Sequence, residues 1–281
     1  MANLRKIRTR IKSVQSTQQI TKSMKMVAAA KLRRTQTAFA DLRGFAETGA
    51  RILTRVGAAG TENPFLAPHA ENTRVCYVLI VGNRGLCGTY NSALLRHVSE
   101  LRRDDTREAF LVVAGRWGRD MIPTLSLSIR RSFEISDTPS SGESRALSEY
   151  LRQLYRDGEA DEIVLVYQQF KSVLSQTPGV KTLLPLALRE GTDEADVIFE
   201  PDRASLLNTL VELVLDNTVH AALLEARTGE HAARMTAMTA AADNTEELIA
   251  QLTLELNHAR QSAITTEISE IVGGAAALTA K

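Results

Sequence analysis

A glycine-rich turn at positions 82–88 has the clearest potential for chemistry, because it follows a predicted strand and precedes a predicted helix. The backbone N–H groups of such a turn can cradle phosphate. The turn is not a GxGxxG fingerprint, however, and it lacks the GK[ST] ending of a P-loop. A nucleotide site and a tight packing turn are both possible, and the spacing favours the packing turn. Its residues are Gly82, Asn83, Arg84, Gly85, Leu86, Cys87 and Gly88.

The other reactive side chains are isolated from one another. Cys87 could act as a nucleophile, but no histidine has a sequence-level reason to lie beside it, and a buried cysteine is usually a small apolar side chain. Cys76 and Cys87 cannot form a disulfide framework or a four-ligand zinc site, and a reducing compartment is the default. We therefore predict no catalytic residue, no metal and no cofactor. The histidines show no ligand spacing and are expected at the surface: His69, His97, His220, His231 and His258.

The composition is typical of a soluble globular protein and excludes a disordered chain. Of the 281 residues, 44% are hydrophobic and 24% are charged, which is enough to bury a core. Aromatic residues make up only 5%, and there are 7 prolines, so a helix-rich chain is expected. No apolar run reaches the ~18 residues of a transmembrane helix, and the N-terminus lacks the layout of a secretory signal.

The net charge of +1 hides a strong asymmetry along the chain. Residues 1–56 hold thirteen bases and two acids, a net of +11, whereas residues 201–281 hold five bases and eleven acids, a net of −6. The basic end could bind nucleic acid, lie on an anionic membrane or meet acidic protein surfaces, or it could simply be a solvated helix face. Because no aromatic residue precedes Phe39, a stacking platform for single-stranded nucleic acid is absent.

Both ends of the chain are predicted to be long helices with heptad seams. The first runs from about Asn3 to Val56, and the second from Pro201 to about Leu278, with possible stops at Gly229 and at Gly273-Gly274. The N-terminal seam comprises Leu4, Ile7, Ile11 and Val14, and resumes at Ile20, Met24 and Val27. The C-terminal seam comprises Met235, Met238, Ala242, Thr245, Ile249, Leu252, Leu256, Ala259 and Ala263.

The simplest arrangement of these helices is an antiparallel coiled coil, which their opposite net charges favour. The C-terminal helix is the longer one, so its last turns would project alone. They could be a frayed tail or a smooth tip inside a partner. We expect the N-terminal helix to occupy residues 1–56 and the C-terminal helix residues 201–281.

The middle of the chain is predicted to be α/β, because strands and helices alternate there. After a linker at 57–73, the domain at 74–200 is expected to hold a small, mostly parallel sheet. Two of its strands should form a hairpin across Thr177-Pro178-Gly179. The predicted strands are 74–81, 110–114, 129–135, 162–170 and 181–188, and the predicted helices are 91–103 and 143–156. The fold class is thus α/β, with a long antiparallel coiled coil of N- and C-terminal helices.

Three motifs carry a resemblance to one family. The opening MANLRKIRTRIKSVQSTQQITKSMKMVAAAKLRRTQ resembles the N-terminal signature of the gamma subunit of F-type ATP synthases. The close, from EHAARM to VGGAAAL, is similar to that family's C-terminal signature, and RGLCGTYN resembles its central-domain motif. The two end motifs cover about eighty residues and are highly specific. Their order along the chain also matches the family.

This resemblance implies a rotor without catalytic groups of its own. The coiled coil would stand inside a ring of three alpha and three beta subunits, which carry the catalytic sites. The α/β domain would contact the epsilon subunit and the membrane ring of c subunits, with no nucleic acid involved. Rotation driven by ions would then bias the conformations of the beta subunits in turn. A family motif that starts at Met1 suggests a bacterial protein on the cytoplasmic face of the plasma membrane.

The resemblance also assigns roles to individual residues. Arg260 and Gln261 match the pair that contacts a catch loop on beta, where a guanidinium can fork onto a carboxylate. Met24 matches a position near an acidic lever of beta. The central-domain motif corresponds to Arg84, Gly85, Leu86, Cys87 and Gly88.

The sequence departs from the family's pattern at several places. Gly82-Asn83 stand where Ser-Asp is usual, Thr228-Gly229 replace Ala-Ser, and Leu256 replaces a common aromatic residue. We expect only local adjustments there. Two other functions compete with the rotor, a coiled-coil nucleic-acid binder and a small-molecule enzyme that uses the glycine turn, but neither explains the C-terminal signature.

Overall fold

The computed structural model describes residues 2–57, 63–117, 125, 127–187, 200 and 202–279. These residues form two compact units. One unit pairs the two chain ends, Met1–Val27 and Met235–Lys281, and the other comprises Ala28–Arg234. Helix α1 (Ala2–Gly57) and helix α4 (Arg203–Thr279) each contribute to both units. The predicted helices at the two ends of the chain are confirmed, and α4 continues without interruption through Gly229 and Gly273-Gly274.

In the first unit, α1 and α4 pack together along their seams. Gln18 Nε2 donates to Glu246 Oε2 at 3.4 Å, and Lys22 Nζ lies 3.9 Å from the same carboxylate oxygen. The C-terminal seam is confirmed, because every predicted position in it is buried or half-buried, with the deepest burial at three of them. These are Met238, Ala242 and Leu252.

The predicted restart of the N-terminal seam is wrong at two positions. Ile20 is 58% exposed and Val27 is 55% exposed, whereas Thr21 is buried. Thr21 lies one heptad after Val14, so the original register continues and requires no shift. The Thr21 hydroxyl donates to the Gln18 carbonyl at 2.9 Å, which allows a polar residue to occupy the seam.

The second unit contains a five-stranded sheet in the order β3-β2-β1-β4-β5. The strands are β1 (Arg74–Ile80), β2 (Glu108–Ala114), β3 (Ser128–Phe133), β4 (Glu162–Ser172) and β5 (Ser175–Leu184). The first four in this order run parallel, and β5 is antiparallel to β4. Helices α2 (Tyr90–Asp104) and α3 (Ser141–Arg156) connect strands, and a Ser140–Glu143 capping box starts α3. The mostly parallel sheet predicted for the middle is confirmed.

The apolar run of β1 is buried on both faces, as its sequence predicts. Cys76, Val78 and Ile80 face a core that includes residues of α1, α3 and α4. Alternate residues of the strand face a second core formed with α2, which contributes Leu94 and Val98. The period of two therefore divides one strand between two hydrophobic cores.

The predicted hairpin exists, but its turn is misplaced in the prediction. The two strands turn at Val173-Leu174, and Thr177-Pro178-Gly179 lie inside β5, opposite residues 167–169. Because β5 is the edge strand, Pro178 can lack an N–H group without interrupting the sheet.

The predicted linker before β1 contributes to the core. Phe65 is buried there, and its carbonyl accepts from Leu186 N at 2.8 Å. Residue 188, the predicted end of the last strand, lies outside the described residues.

Candidate functional site

The glycine-rich turn lies at the carboxyl end of β1, where the strand order reverses. β1 has β2 on one side and β4 on the other, and in open α/β sheets ligands bind in the crevice at such a switch point. Here α4 crosses this edge, and three of its charged side chains fill the crevice: Arg227, Glu230 and Arg234.

Glu230 occupies the place that an external anion would take. Its carboxylate is 1% exposed and accepts from Arg227 Nη1 at 2.7 Å and from Arg234 Nη2 at 2.6 Å. The backbone N–H of Asn83 points at the same carboxylate, at 3.3 Å. A Cβ on Gly82 would lie 2.9 Å from Glu230 Cδ, so a side chain at this position would require the Glu230 carboxylate to shift. The turn is therefore packed against an internal carboxylate, as the packing interpretation predicts.

The two guanidinium groups of this cluster stabilise the ionised form of Glu230. Burial raises the pKa of Glu230, but the nearby Arg227 and Arg234 guanidinium groups outweigh it and hold that pKa below its ordinary value. Arg234 also donates to the Arg84 carbonyl at 3.0 Å and to the Gly85 carbonyl at 3.3 Å. The guanidinium of Arg234 thus joins the internal anion to the backbone of the central-domain motif.

A second acidic group extends the cluster to α1. Asp137 Oδ2 accepts from Lys31 Nζ at 2.5 Å, and Asp137 Oδ1 accepts from Asn83 Nδ2 at 3.3 Å. Burial opposes ionisation, but these bonds lower the pKa of Asp137 to about 2. The Asp137 carbonyl lies 3.2 Å from His231 Nε2.

The predicted surface position of His231 is wrong, because this histidine is buried on α4. Burial lowers its pKa below the ordinary value, although Glu230 opposes that effect. The burial follows from the helix period, since His231 lies four residues after Arg227 and three residues before Arg234. Of the other histidines, His258 is exposed, and His69, His97 and His220 are half-buried.

The central-domain motif presents one apolar side chain to solvent. Leu86 is 63% exposed and has φ 59°, which is strained for a residue with a bulky side chain. Gly88 has φ 60°, a conformation that glycine adopts without strain. Cys87 is buried, burial raises its pKa, and Asn91 Nδ2 donates to its Sγ at 3.6 Å. Cys87 therefore has the features of a packing residue and lacks those of a nucleophile.

The positions assigned to coupling lie in the paired helices. Met24 on α1 is half-buried. Arg260 and Gln261 on α4 are exposed, and the Gln261 carbonyl accepts from the Thr265 hydroxyl at 3.0 Å within the helix. Their proposed contacts would be with other subunits, so their roles stay predictions.

The buried ionic cluster was missed by the sequence interpretation, which placed the carboxylates on solvated helix faces. One signal was available, since Arg227, Glu230 and Arg234 recur at i, i+3 and i+7 on one face of α4. Gly229 was another signal, because a Cβ there would lie 3.3 Å from the Tyr90 ring. A glycine within a helix that continues through it indicates a close approach by a neighbouring side chain.

The fold and the crevice together define a class of protein in which the terminal helices pair with each other, and in which charged side chains of the C-terminal helix occupy the sheet crevice where a ligand would bind. Among the described residues, no group of histidine, cysteine and acidic side chains could hold a metal ion. No helix of the described chain combines the length and the apolar character needed to cross a bilayer.

Comparisons identify the family. The family model described as ATP synthase matches residues 3–278. The chain is 44% identical to the ATP synthase gamma chain of Moorella thermoacetica and 41% identical to that of Pelotomaculum thermopropionicum. Each match covers 99% of this chain and 100% of the relative. The chain therefore belongs to the ATP synthase gamma chain family.

Solved structures agree on the fold. A chain of the Euglena gracilis mitochondrial ATP synthase, in the OSCP/F1/c-ring assembly, superposes with a TM-score of 0.71 at 21% identity, covering 99% of this chain and 95% of that one. A chain of the rotor of the same synthase gives a TM-score of 0.68 at 20% identity and covers 94% of this chain and 99% of that one. The resemblance carried by the end signatures is confirmed.

Proposed function

We propose that the chain transmits rotation between a membrane ring of c subunits and the catalytic sites of the beta subunits, and that it performs no bond chemistry itself. The observation that carries this proposal is the filled crevice at the switch point. The crevice at this switch point, where a nucleotide phosphate could bind, holds Glu230 with a guanidinium on each side of its carboxylate. ATP chemistry would then belong to other subunits, and the chain would act through its shape and its contacts.

The paired helices would be the part that acts on the beta subunits. The exposed face of α1 carries many bases, among them Arg8, Lys12, Lys22 and Arg33, which suits contact with acidic surfaces. Arg260 would donate a bidentate pair of hydrogen bonds to a carboxylate of beta in one orientation only, with Gln261 beside it. A contact that exists in one orientation and is lost in the next changes the relative stability of the open and closed states of beta.

The last turns of α4 have the surface expected for a tip inside a partner. Large apolar side chains on a helix are usually buried, but four are exposed there: Ile264, Ile268, Ile271 and Val272. Their spacing of i, i+4, i+7 and i+8 places all four on one face. A sleeve formed by the alpha and beta subunits would cover that face, which supports the second of the two interpretations of the tail.

The sheet unit would contact the epsilon subunit and the c ring. Since the chain has no membrane-spanning helix among its described residues, membrane association would be peripheral, through the c ring. The face of the membrane would be the cytoplasmic face of the bacterial plasma membrane.

Reconstitution tests the proposal. The chain is co-expressed with the alpha and beta subunits of its own organism, and Mg-ATP hydrolysis is compared with and without it. We expect a complex of one copy per three alpha and three beta, with hydrolysis that depends on the chain. Failure to associate with correctly folded partners would overturn the proposal. Nucleotide binding by the isolated chain would favour the enzyme alternative.

A further inference from the structure

Arg227 joins two segments of the sheet unit to α4, the turn after β1 and the residues after β3. Its guanidinium donates to the Val81 carbonyl at the end of β1 at 3.1 Å, to Asn83 Oδ1 in the glycine turn at 2.9 Å and to the Ile135 carbonyl after β3 at 3.2 Å. A further bond reaches Glu230 on α4 itself at 2.7 Å. The side chain is only 1% exposed. A single buried group thus ties both segments to α4.

The choice of arginine is informative, because an apolar side chain would fill the same space at a lower desolvation cost. Apolar contacts are non-directional, so they resist separation of two surfaces much better than sliding. Hydrogen bonds weaken steeply when the angle at the hydrogen departs from linearity. A planar guanidinium with four acceptors around it therefore resists rotation and translation of α4 against the sheet.

The position of Arg227 along α4 fits such a role. The apolar side chains that α4 buries in the core lie mainly before it, including Leu207, Val211 and Leu215. After Arg227 come Glu230 and Arg234, which also contact the glycine turn. The sheet unit ends at Arg234, and α4 continues beyond it as the same helix. The polar cluster thus lies at the end of the part of α4 that belongs to the sheet unit.

We propose that Arg227 is a positioning residue that locks α4 to the carboxyl edge of the sheet, so that rotation of the sheet unit passes to the helix without slip. This inference rests on the proposed function. Without Arg227, α4 would shift against the sheet when rotation meets resistance. ATP hydrolysis would then continue while less rotation reached the c ring.

The test uses the assembled ATP synthase in membrane vesicles and measures protons pumped per ATP hydrolysed. Arg227→Met keeps an unbranched, helix-favouring side chain and removes the fork. We expect a ratio lower by about twofold or more, with hydrolysis retained, because a buried group bound to four acceptors is lost. Arg116→Met is the matched control, since Arg116 forms an exposed ion pair with Glu134. Its ratio should equal that of the wild type.

A merely structural role for Arg227 predicts a different result, namely fewer assembled complexes that pump at the wild-type ratio. That result would overturn the inference. If Arg227→Met fails to assemble, Asn83→Ala takes its place, because it removes one acceptor of the guanidinium and leaves the Arg227–Glu230 pair intact. An unchanged ratio in Asn83→Ala would then overturn the inference. Proton pumping by the wild-type chain distinguishes failure of this inference from failure of the proposed function. A wild-type complex that cannot pump refutes the proposed function itself.

Discussion

Replacing Glu230 by alanine should destabilise the sheet unit strongly. The carboxylate is buried and lies within 2.7 Å of two guanidinium groups, those of Arg227 and Arg234. Glu230→Ala would leave both cations in a site with little water and no anion. Breaking a buried ion pair by removing one partner costs about 3–5 kcal/mol. We expect a loss in that range in the free energy of unfolding, since the nearby Asn83 and carbonyl acceptors carry no charge.

Urea denaturation of the full chain, followed by circular dichroism, measures this loss. The matched control is Glu134→Ala, which breaks an exposed ion pair with Arg116 and should cost less than about 1 kcal/mol. A Glu230→Ala variant that loses no more than this control would refute the reasoning, because it would mean that the cluster contributes no more than a surface pair.

The pH dependence provides a second check of the same cluster. The pKa of Glu230 is lower in the folded chain than its ordinary value of 4.5. A carboxyl with a depressed folded pKa stabilises the fold fully above its unfolded pKa, and this contribution is lost as the pH falls through the folded value. The difference between wild type and Glu230→Ala should therefore be constant near neutrality and shrink below about pH 4.5.

The remaining predictions concern coupling and acid sensitivity. Met24→Lys should lower protons pumped per ATP without preventing assembly, and an unchanged ratio would contradict the assigned position. Arg260→Ala should slow ATP synthesis about tenfold, the equivalent of one charge-assisted hydrogen bond, and a normal rate would count against the latch. Burial lowers the pKa of His220 and of His231 below 6.5, so the unfolded chain binds protons first and stability should fall as the pH drops below 6.5. A double His→Gln variant should lose less stability over that interval in a denaturation series, and an equal loss would show that other groups are responsible.

Much of the fold could be predicted from sequence, because its signals are long and periodic. The two end helices are free of proline, and their heptads repeat over many turns, so both were predicted within a few residues of α1 and α4. The strand β1 is a continuous apolar run and could only be buried. The heptad register of α1 after Val14 was harder to predict, because Ile20 and Val27 are apolar but exposed, whereas the buried seam position is Thr21. Hydrophobicity alone does not show that a hydroxyl can be satisfied within its own helix.

The candidate site was less predictable, because it depends on contacts between distant parts of the chain. Gly82 and Asn83 depart from the expected pattern, and the structure places both against Arg227 and Glu230, more than 140 residues away. Charged residues on a helix are usually solvated, and only the three-dimensional crossing of α4 over the sheet edge buries these. The hairpin turn was misplaced for a similar reason, since Pro178 is a turn signal except on an edge strand.

The most direct test of the central claim is to watch the chain rotate. Leu174 in the β4–β5 turn is 84% exposed, whereas Cys76 and Cys87 are buried, so Leu174→Cys gives one accessible thiol to which a bead can be attached. With the alpha and beta subunits fixed to a surface, Mg-ATP should turn the bead in one direction, pausing at three equally spaced angles. A bead that stays still while the same complexes hydrolyse ATP would contradict the account.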